Sequence, residues 1–351
     1  MARVRISDVA REAGVSVGTA SNALNHPNKV KQETLDQVNA AIARLGYVPN
    51  QAARQLAGSE SRVFGLVLPR LDHAFSLQIA NGAQAESRKR GYDLLIASAG
   101  NDDILTNHYM RYFLGAHVAG VLVQPMADTS WDPETQEAPV PTVYLDVHSR
   151  AAVNCVAADN EAQGRLIMEH ATDRGARRVA IIGKPDFMQL TLRTYGIREA
   201  ARNADAEVEF VGLGSWNSVK DGFELGRELA RRSPEARPDF VIGLTDVLAV
   251  GAIAGFAAAG LSVPNDLLVA GCDGNPLAWG GTVPLTTIKS PGYEIGQKGV
   301  QLLLDELSQP EAHEPRQELV APSLIERMST ASTPAERKRA EEPELDLAEY
   351  L

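Results

Sequence analysis

Eight polar or aromatic residues stand at or just beyond the ends of apolar segments that predict β-strands: Asp72, Phe75, Gln124, Phe187, Arg193, Trp216, Asp246 and Asp273. Carboxylates and arginine make paired hydrogen bonds to hydroxyl groups, and aromatic rings stack on the apolar face of a sugar or on a base. The set is typical of a site that binds a polar, ring-shaped small molecule. Phe75 and Phe187 also suit a hydrophobic core, and Asp246 also suits a helix N-cap.

No motif of hydrolytic, metal or nucleotide chemistry accompanies these residues. The sequence has no H-E-x-x-H and no P-loop pattern, and the glycines of Gly14-Val15-Ser16-Val17-Gly18 are interpreted as turn and packing residues, not as a nucleophile elbow. Cys155 and Cys272 lie far apart, so we expect neither a disulfide nor a metal site, but two buried thiols. We therefore predict a binding protein, not an enzyme, with no cofactor and no metal.

Alternating strands and helices must position the eight residues. Strands are predicted at 63–69, 92–98, 118–125, 179–183, 207–212, 239–244 and 267–273, and helices at 74–90, 104–115, 160–174, 190–203, 218–232 and 246–259. Repeated βα units predict parallel sheets with helices on both faces, and their number predicts two doubly wound lobes in sequence. Open sheets of this kind bind ligands at the carboxyl ends of their strands.

The first 48 residues predict a different, all-α module. A short helix runs from Ser7 to Ala13, Gly14 breaks it, and a second helix follows from Ser16 to Leu24, with Ser7 and Ser16 as N-caps. A third amphipathic helix from 32 to 45 covers the first two and stops at Gly46. Two short helices joined by a glycine turn are a helix-turn-helix, which places its second helix in the DNA major groove.

The charge distribution agrees with a nucleic-acid partner at one end only. The whole chain of 351 residues has a net charge of -11. Residues 1–60 carry seven Lys and Arg against five Asp and Glu, or +2, which leaves 27 against 40, or -13, for the rest. We expect the basic module to attract phosphate, and two such modules together to be needed for specific binding.

Two motifs carry a resemblance to a known family. The run ISDVAREAGVSVGTASNALN, followed by GYVPNQAARQLAG, closely resembles the LacI/GalR family of bacterial transcription regulators. The resemblance implies a body similar to periplasmic sugar-binding proteins, with a final helix near 292–308 and strands near 316–320 and 323–327 that cross back between the lobes. It also implies that Arg193 and Asp273 contact the effector and that Trp216 lies near a stacking aromatic. Thr245-Asp246 and Cys272-Asp273-Gly274 depart from the common family pattern.

The resemblance also assigns contacts to DNA. Val17, Gly18 and Asn22 face base edges, where Asn22 can bond adenine and Val17 can touch a thymine methyl group. Because many family members have Arg in place of Asn22, we expect an operator half-site different from the common one. Side chains near these positions contact phosphates and fix the register, although they also suit helix caps and solvated helix positions: Ser16, Thr19, Ser21, Asn25 and Thr34.

A second DNA-contacting segment runs from Pro49 to Gly58. It predicts a two-turn helix that is too short to be stable alone in water, so we expect it to fold only when paired on DNA. By resemblance Leu56 enters the minor groove and kinks the duplex, with Asn50, Arg54 and Ala57 as further DNA contacts. The alternative is that Leu56 makes an ordinary apolar linker contact.

Domain organisation follows from these elements. We expect a helix-turn-helix domain at 1–48, a hinge helix and linker at 49–61, a two-lobed effector-binding and dimerisation domain at 62–328, and a flexible tail at 329–351. Leucines after Pro343 give less than two heptads, so we predict a homodimer and no tetramer. Without an apolar run long enough to span a membrane or a secretory signal, we expect a cytoplasmic bacterial protein.

The function expected from the family resemblance is repression of carbohydrate-related genes. The protein would bind double-stranded DNA at a pseudo-palindromic operator, and a sugar effector in the cleft would release it. One alternative is a regulator that answers to a purine or nucleoside corepressor. Another is a solute-binding protein with a vestigial head, against which the Leu56 segment and the absent export signal count.

Overall fold

The computed structural model describes residues 4–48, 61–71, 73–100, 102–125, 140–149, 152–212, 218–310 and 312–340. The chain divides into two compact units, Met1–Ser61 and Arg62–Leu351, which are called the head and the body below. In the head, α1 (Ile6–Glu12), α2 (Val17–Asn25) and α3 (Gln32–Leu45) surround a small apolar core. Gly14, between α1 and α2, has a φ of +68°, which glycine adopts without strain. The predicted helix-turn-helix is confirmed.

Of the two serine N-caps predicted in the head, one is confirmed and the other is wrong. Ser16 caps α2, because its Oγ accepts a hydrogen bond from the backbone N–H of Thr19 at 3.1 Å. At α1, however, the helix begins at Ile6, and the N–H of Arg5 is bonded by the carboxylate of Asp8 at 2.9 Å. Ser7 therefore lies inside the first turn, and the prediction that it caps α1 is wrong.

The body alternates strands and helices, as the sequence predicts. Up to the first crossing between its lobes, its described elements are β1 (Val63–Leu68), α4 (Ala74–Lys89), β2 (Asp93–Ser98), α5 (Asp103–Gly115), β3 (Gly120–Val123), β4 (Thr142–Leu145) and β5 (Cys155–Ala158). The remaining described elements are α6 (Asn160–Asp173), β6 (Arg178–Ile182), α7 (Met188–Asn203), β7 (Glu207–Val211), α8 (Val219–Ala230), β8 (Phe240–Gly243), α9 (Asp246–Ala258), β9 (Leu268–Gly271), α10 (Leu277–Gly280), β10 (Thr286–Lys289), α11 (Gly292–Ser308), β11 (Gln317–Val320), β12 (Ser323–Ile325) and α12 (Pro334–Ala340).

Two six-stranded sheets form the two lobes. The first lobe has the strand order β11-β5-β4-β3-β1-β2, and all neighbours are parallel. The second has the order β12-β10-β9-β8-β6-β7, parallel except for the antiparallel edge pair of β12 and β10. Central strands such as β3 and β8 are buried along their whole length, because helices cover both faces of a parallel sheet. The predicted pair of doubly wound lobes is confirmed.

The chain crosses between the lobes three times. It crosses from β5 to α6, returns from β10 to α11, and crosses again from β11 to β12. After the second crossing, α11 packs on α4, and its residues Ile295 and Leu302 join the same core as Ile79. Each lobe is thus built from segments that are distant in the sequence.

The flexible tail expected from Ser329 onward is wrong for residues 329–340. Ser329 is buried: its Oγ donates to the carbonyl of Val269 at 2.6 Å and accepts the N–H of Thr286 at 2.8 Å. The hydroxyl of Thr330 lies 2.9 Å from Nε2 of His170, and Arg337 on α12 bonds the side chain of Asn265 at 2.7 Å. These partners hold the segment on the second lobe. The leucines after Pro343 lie outside the described residues.

Candidate functional site: a DNA-facing helix and an interlobe cleft

The outer surface of α2 carries the residues predicted to face DNA bases. Val17 is 49% exposed, and Gly18 and Asn22 are exposed as well. A Cβ atom at Gly18 would approach only the Oγ of Ser16, at 3.8 Å. This surface is open, so an amide side chain can reach base edges along it.

Hydroxyl and amide groups border this surface. Ser16 and Thr19 lie 2.9 Å apart at their hydroxyl oxygens, and Nδ2 of Asn25 donates to Oγ of Ser21 at 3.3 Å. Thr34, on α3, is half-buried. The structure thus places all eight predicted contacts of the helix-turn-helix in the head. The other four predicted DNA contacts lie outside the described residues: Asn50, Arg54, Leu56 and Ala57.

In the body, Arg193 and Asp273 meet in the second lobe. Arg193 lies on α7 and is 4% exposed, whereas Asp273 follows β9 with 21% of its side chain exposed. Nη1 of Arg193 lies 3.5 Å from Oδ1 of Asp273. The guanidinium also donates to the carbonyl of Leu244 and, at 3.1 Å, to Oδ1 of Asn160. Its Nε is buried and has no hydrogen-bond partner within the described protein.

The helix packing behind Arg193 is unusually close. Gly164 on α6 faces α7 at a point where a Cβ atom would lie 1.9 Å from the backbone oxygen of Arg193. On the other side of the same contact, a Cβ atom at Gly196 would lie 2.0 Å from the oxygen of Glu161. Only glycine allows these two backbones to approach so closely. The two glycines therefore set the distance between α6 and α7, and with it the position of Arg193 in the cleft.

Asp246 lies beneath Asp273 rather than on the cleft surface. It is 0% exposed and accepts hydrogen bonds from the N–H of Asn275 at 2.6 Å and the hydroxyl of Thr287 at 2.5 Å. Its own N–H donates to Oδ2 of Asp273 at 3.1 Å. Burial, followed by the charge of Asp273, raises the pKa of Asp246 to about 7. Both oxygens of Asp246 are used inside the protein, so it orients Asp273.

A further acid, Asp146, was missed from the sequence. It follows β4 in the first lobe and has a left-handed φ of +59°. Burial raises its pKa to about 7, although the positive charge of Arg193 acts in the opposite direction, and Asp273 adds to the increase. The carboxylate of Asp146 lies 3.4 Å from Nε2 of Gln189, one helical turn before Arg193 on α7, so Asp146 reaches the site of Arg193 and Asp273 from the other lobe. The signal was the rule used for the other residues, a polar residue just after a strand, but β4 itself was not predicted.

Of the remaining predicted cleft residues, one is buried, two pack on the hydrophobic cores and two lie outside the described residues. Gln124, at the end of β3, is buried, and its Oε1 has no hydrogen-bond partner within the described protein. Phe75 and Phe187 are half-buried, and each packs against the core of its own lobe. Asp72 and Trp216 lie outside the described residues. His73, next to Asp72, acts from the first lobe on Asp273, whose pKa burial raises and the His73 charge lowers.

The cleft can therefore bind a neutral molecule rich in hydroxyl groups. The charge of Arg193 is balanced by Asp273, and the further acids Asp146 and Asp246 bring no positive charge, so these four residues offer no surplus positive charge to an anionic ligand. Side-chain oxygens of Asp146, Asp273 and Gln124 can accept hydroxyl protons, and the guanidinium of Arg193 can donate to a hydroxyl oxygen. Among the described residues no group of His, Cys, Asp and Glu is arranged to hold a metal ion.

A helix-turn-helix head on a two-lobed body with a polar interlobe cleft defines the class of ligand-responsive DNA-binding regulators. Residues 5–50 match the family described as bacterial regulatory proteins, lacI family, and residues 168–330 match the periplasmic binding protein-like domain. The ribose operon repressor of Bacillus subtilis (strain 168) is 32% identical over 303 residues, which cover 85% of this chain and 90% of the repressor. The chain belongs to the lacI family of bacterial regulatory proteins.

Solved structures agree with this assignment. The Lac repressor dimer bound to operator and the anti-inducer ONPF has a TM-score of 0.80 at 27% identity, covering 94% of this chain and 99% of that one. The complex of the transcriptional regulator CelR with cellobiose has a TM-score of 0.66 at 28% identity, covering 93% and 100%. In the described part of this chain, no helix has the length and apolar character needed to cross a membrane.

Proposed function

We propose that this protein is a homodimeric repressor of carbohydrate-related genes that binds a pseudo-palindromic operator in the bacterial cytoplasm. The proposed activity is binding, and no reaction is assigned to it. The exposed face of α2, with Asn22 at its centre, reads the half-site, and residues 49–61 form the hinge that contacts the operator centre. Two related heads on one dimer explain the expected palindrome.

A neutral sugar in the cleft is the proposed effector. The observation that carries this assignment is the Arg193–Asp273 pair, separated by 3.5 Å, with Asp146 facing it from the other lobe. A hydroxyl-rich ring bonded on both sides would favour one angle between the lobes over the other. The relatives named for ribose and cellobiose support a sugar of this kind.

Release from DNA follows if the sugar stabilises the lobe arrangement in which two hinge segments cannot pair. The sugar and the operator then weaken each other's binding by the same factor, because the coupling between two sites is reciprocal. Ordinary couplings of about 1–3 kcal/mol change affinity by roughly 5- to 150-fold.

The test has two steps. Purified protein is incubated with fragments of its source genome, and the bound DNA is sequenced; enrichment of one short palindrome beside carbohydrate genes is expected. Ribose, cellobiose and other neutral mono- and disaccharides are then titrated against the protein on that palindrome, with glucose 6-phosphate as an anionic control. Release by a neutral sugar supports the proposal, whereas tighter binding in the presence of purines and no response to sugars would contradict it.

A further inference from the structure

Four basic residues cluster at the edge of the first lobe where the chain enters the body. Arg88 and Lys89 end α4, Arg90 follows as its C-cap, and Arg62 directly precedes β1; all four are exposed. The amino ends of parallel strands share one edge of a sheet, so the start of β1 lies next to the turn that leads into β2. We call these four residues the basic edge.

Contacts hold the basic edge around the entry point. The carbonyl of Arg62 accepts the N–H of Asp93 at 2.9 Å, and its guanidinium lies 5.8 Å from the centre of the Tyr92 ring. A Cβ atom at Gly91 would lie 3.5 Å from Nη1 of Arg62. The guanidinium of Arg62 is therefore held beside the C-terminal end of α4, although the side chain remains exposed.

One carboxylate, Glu86, neutralises one of these four positive charges. Glu86, almost fully buried, pairs with Lys89 at 3.4 Å and Arg90 at 2.9 Å, and these two side chains remain 69% and 50% exposed. Within the described part of the chain, neither Arg62 nor Arg88 forms an ion pair with a carboxylate. The attraction of cations to a helix C-terminus accounts for Arg88 and Lys89, but Arg62 lies on a different segment.

The basic edge is a positively charged surface on a body that is acidic as a whole. Residues 61–351 carry a net charge of -13, which repels DNA. Arg62 is separated from Val48, the last described residue of the head, by a linker that spans at most about 50 Å when fully extended and about 20 Å when helical. Arg62 is the first residue of the body after that linker, so the basic edge is tethered to a DNA-bound head by no more than the length of the linker.

We propose that the basic edge binds the phosphate backbone of DNA while the head occupies its operator. Arg62 and Arg88 supply the contacts, since a guanidinium donates paired hydrogen bonds to phosphate oxygens. This inference rests on the proposed function. It adds a sequence-independent contribution from the body to a binding energy otherwise supplied by the head and hinge.

The salt dependence of operator binding tests the proposal. Each phosphate contact contributes about 0.9 to the slope of log affinity against log salt concentration. The double variant Arg62→Gln/Arg88→Gln should therefore reduce this slope by about 2–4 in a dimer. Arg88→Gln alone, which changes no ion pair within the described part of the chain, should give about half that effect without disturbing the contact of Arg62 with the Tyr92 ring.

Lys220→Gln/Arg231→Gln is the matched control, with the same change of net charge at exposed positions of the second lobe. Its slope should equal that of the unchanged protein. An unchanged slope in the basic-edge variants, or an equal fall in the control, would overturn the proposal. A protein that binds no palindrome at any salt concentration contradicts the proposed function instead, because the basic edge supplies no sequence preference.

Discussion

Gln189, on α7 of the second lobe, donates from Nε2 to the backbone oxygen of Asp146 in the first lobe at 2.8 Å, and the same nitrogen lies 3.4 Å from the Asp146 carboxylate. This contact joins the lobes directly beside Arg193, which stands one helical turn further along α7. A ligand that bonds Asp146 must therefore compete with, or reinforce, a contact that already links the two lobes.

The pKa of Asp146 predicts a pH-dependent stability. Because burial raises this pKa to about 7, the folded protein keeps a proton between its ordinary value of 3.8 and about 7 that the unfolded chain has lost. The contribution of Asp146 to stability therefore falls as pH rises through that window. Asp146→Asn cannot ionise, so its free energy of unfolding should increase relative to the unchanged protein between pH 5 and pH 8. Urea unfolding at both pH values measures this difference, and a difference independent of pH would contradict the assignment.

Asp273→Ala should remove the response to the sugar while the protein still binds its operator. The change deletes the carboxylate opposite Arg193, and Asp273 belongs to the body, whereas the predicted base contacts belong to the head. Fluorescence anisotropy of labelled operator, with and without the effector, measures both properties. Glu228→Ala, an exposed position on α8, should respond normally. A normal response in Asp273→Ala would mean that this carboxylate does not contact the ligand.

Gly164→Ala should lower stability by about 1–3 kcal/mol, because its Cβ atom would lie 1.9 Å from the oxygen of Arg193 and force α6 and α7 apart. The same displacement moves Arg193, so sugar affinity should fall as well. Gly115→Ala, where no atom lies within 4 Å of the added Cβ, is the control and should be nearly neutral. Thermal unfolding and calorimetric titration report the two effects. Loss of stability with unchanged sugar affinity would show that α7 does not set the position of Arg193.

Leu56→Ala should weaken operator binding by about tenfold to a hundredfold, since a buried leucine side chain contributes about 1.5–3 kcal/mol. Sugar binding should not change. Leu71→Ala, at a half-exposed leucine of the body, serves as the control. Equal operator affinity for Leu56→Ala and the unchanged protein would exclude the minor-groove role.

Asn22→Ala should relax the preference at one base position by about 1–3 kcal/mol. Binding to all other sequences should fall much less. Selection of bound DNA from a randomised half-site reveals which position loses its preference, with Asn39→Ala, an exposed residue of α3, as the control. A uniform loss across all sequences would indicate that Asn22 contacts phosphate, not a base.

Long apolar segments made most of the fold predictable from the sequence, whereas three short strands were missed. Strand β1 was predicted at 63–69 and is found at Val63–Leu68. By contrast, β4, β5 and β10 have four residues each and were not predicted. Strands β3 and β8 also have four residues each, but they were predicted because they lie within the longer apolar runs 118–125 and 239–244. Without such a run, a four-residue strand carries too little periodicity to be distinguished from a loop. Asp146 was missed with β4, because its importance depends on that strand end.

Buried polar residues were the second feature of the fold that could not be predicted from the sequence. Ser329 and Thr330 read as polar tail residues, but Val269, Thr286 and His170 satisfy their hydroxyl groups in the interior. Asp246 was likewise taken as a ligand contact, although Thr287 and the backbone of Asn275 occupy its oxygens. Such partners lie between 29 and 160 residues away in the chain, so no local sequence pattern indicates them.

The three crossings between the lobes also determine when each lobe can form during synthesis. The first lobe lacks α11 and β11 until residues 292–320 have left the ribosome, by which time residues 160–289 of the second lobe have already emerged. Strand β5 must wait with one edge unpaired for β11, which is made about 160 residues later. Nascent chains should therefore resist protease as a whole body only after β12 is complete, and neither lobe can be obtained by simple truncation of the chain.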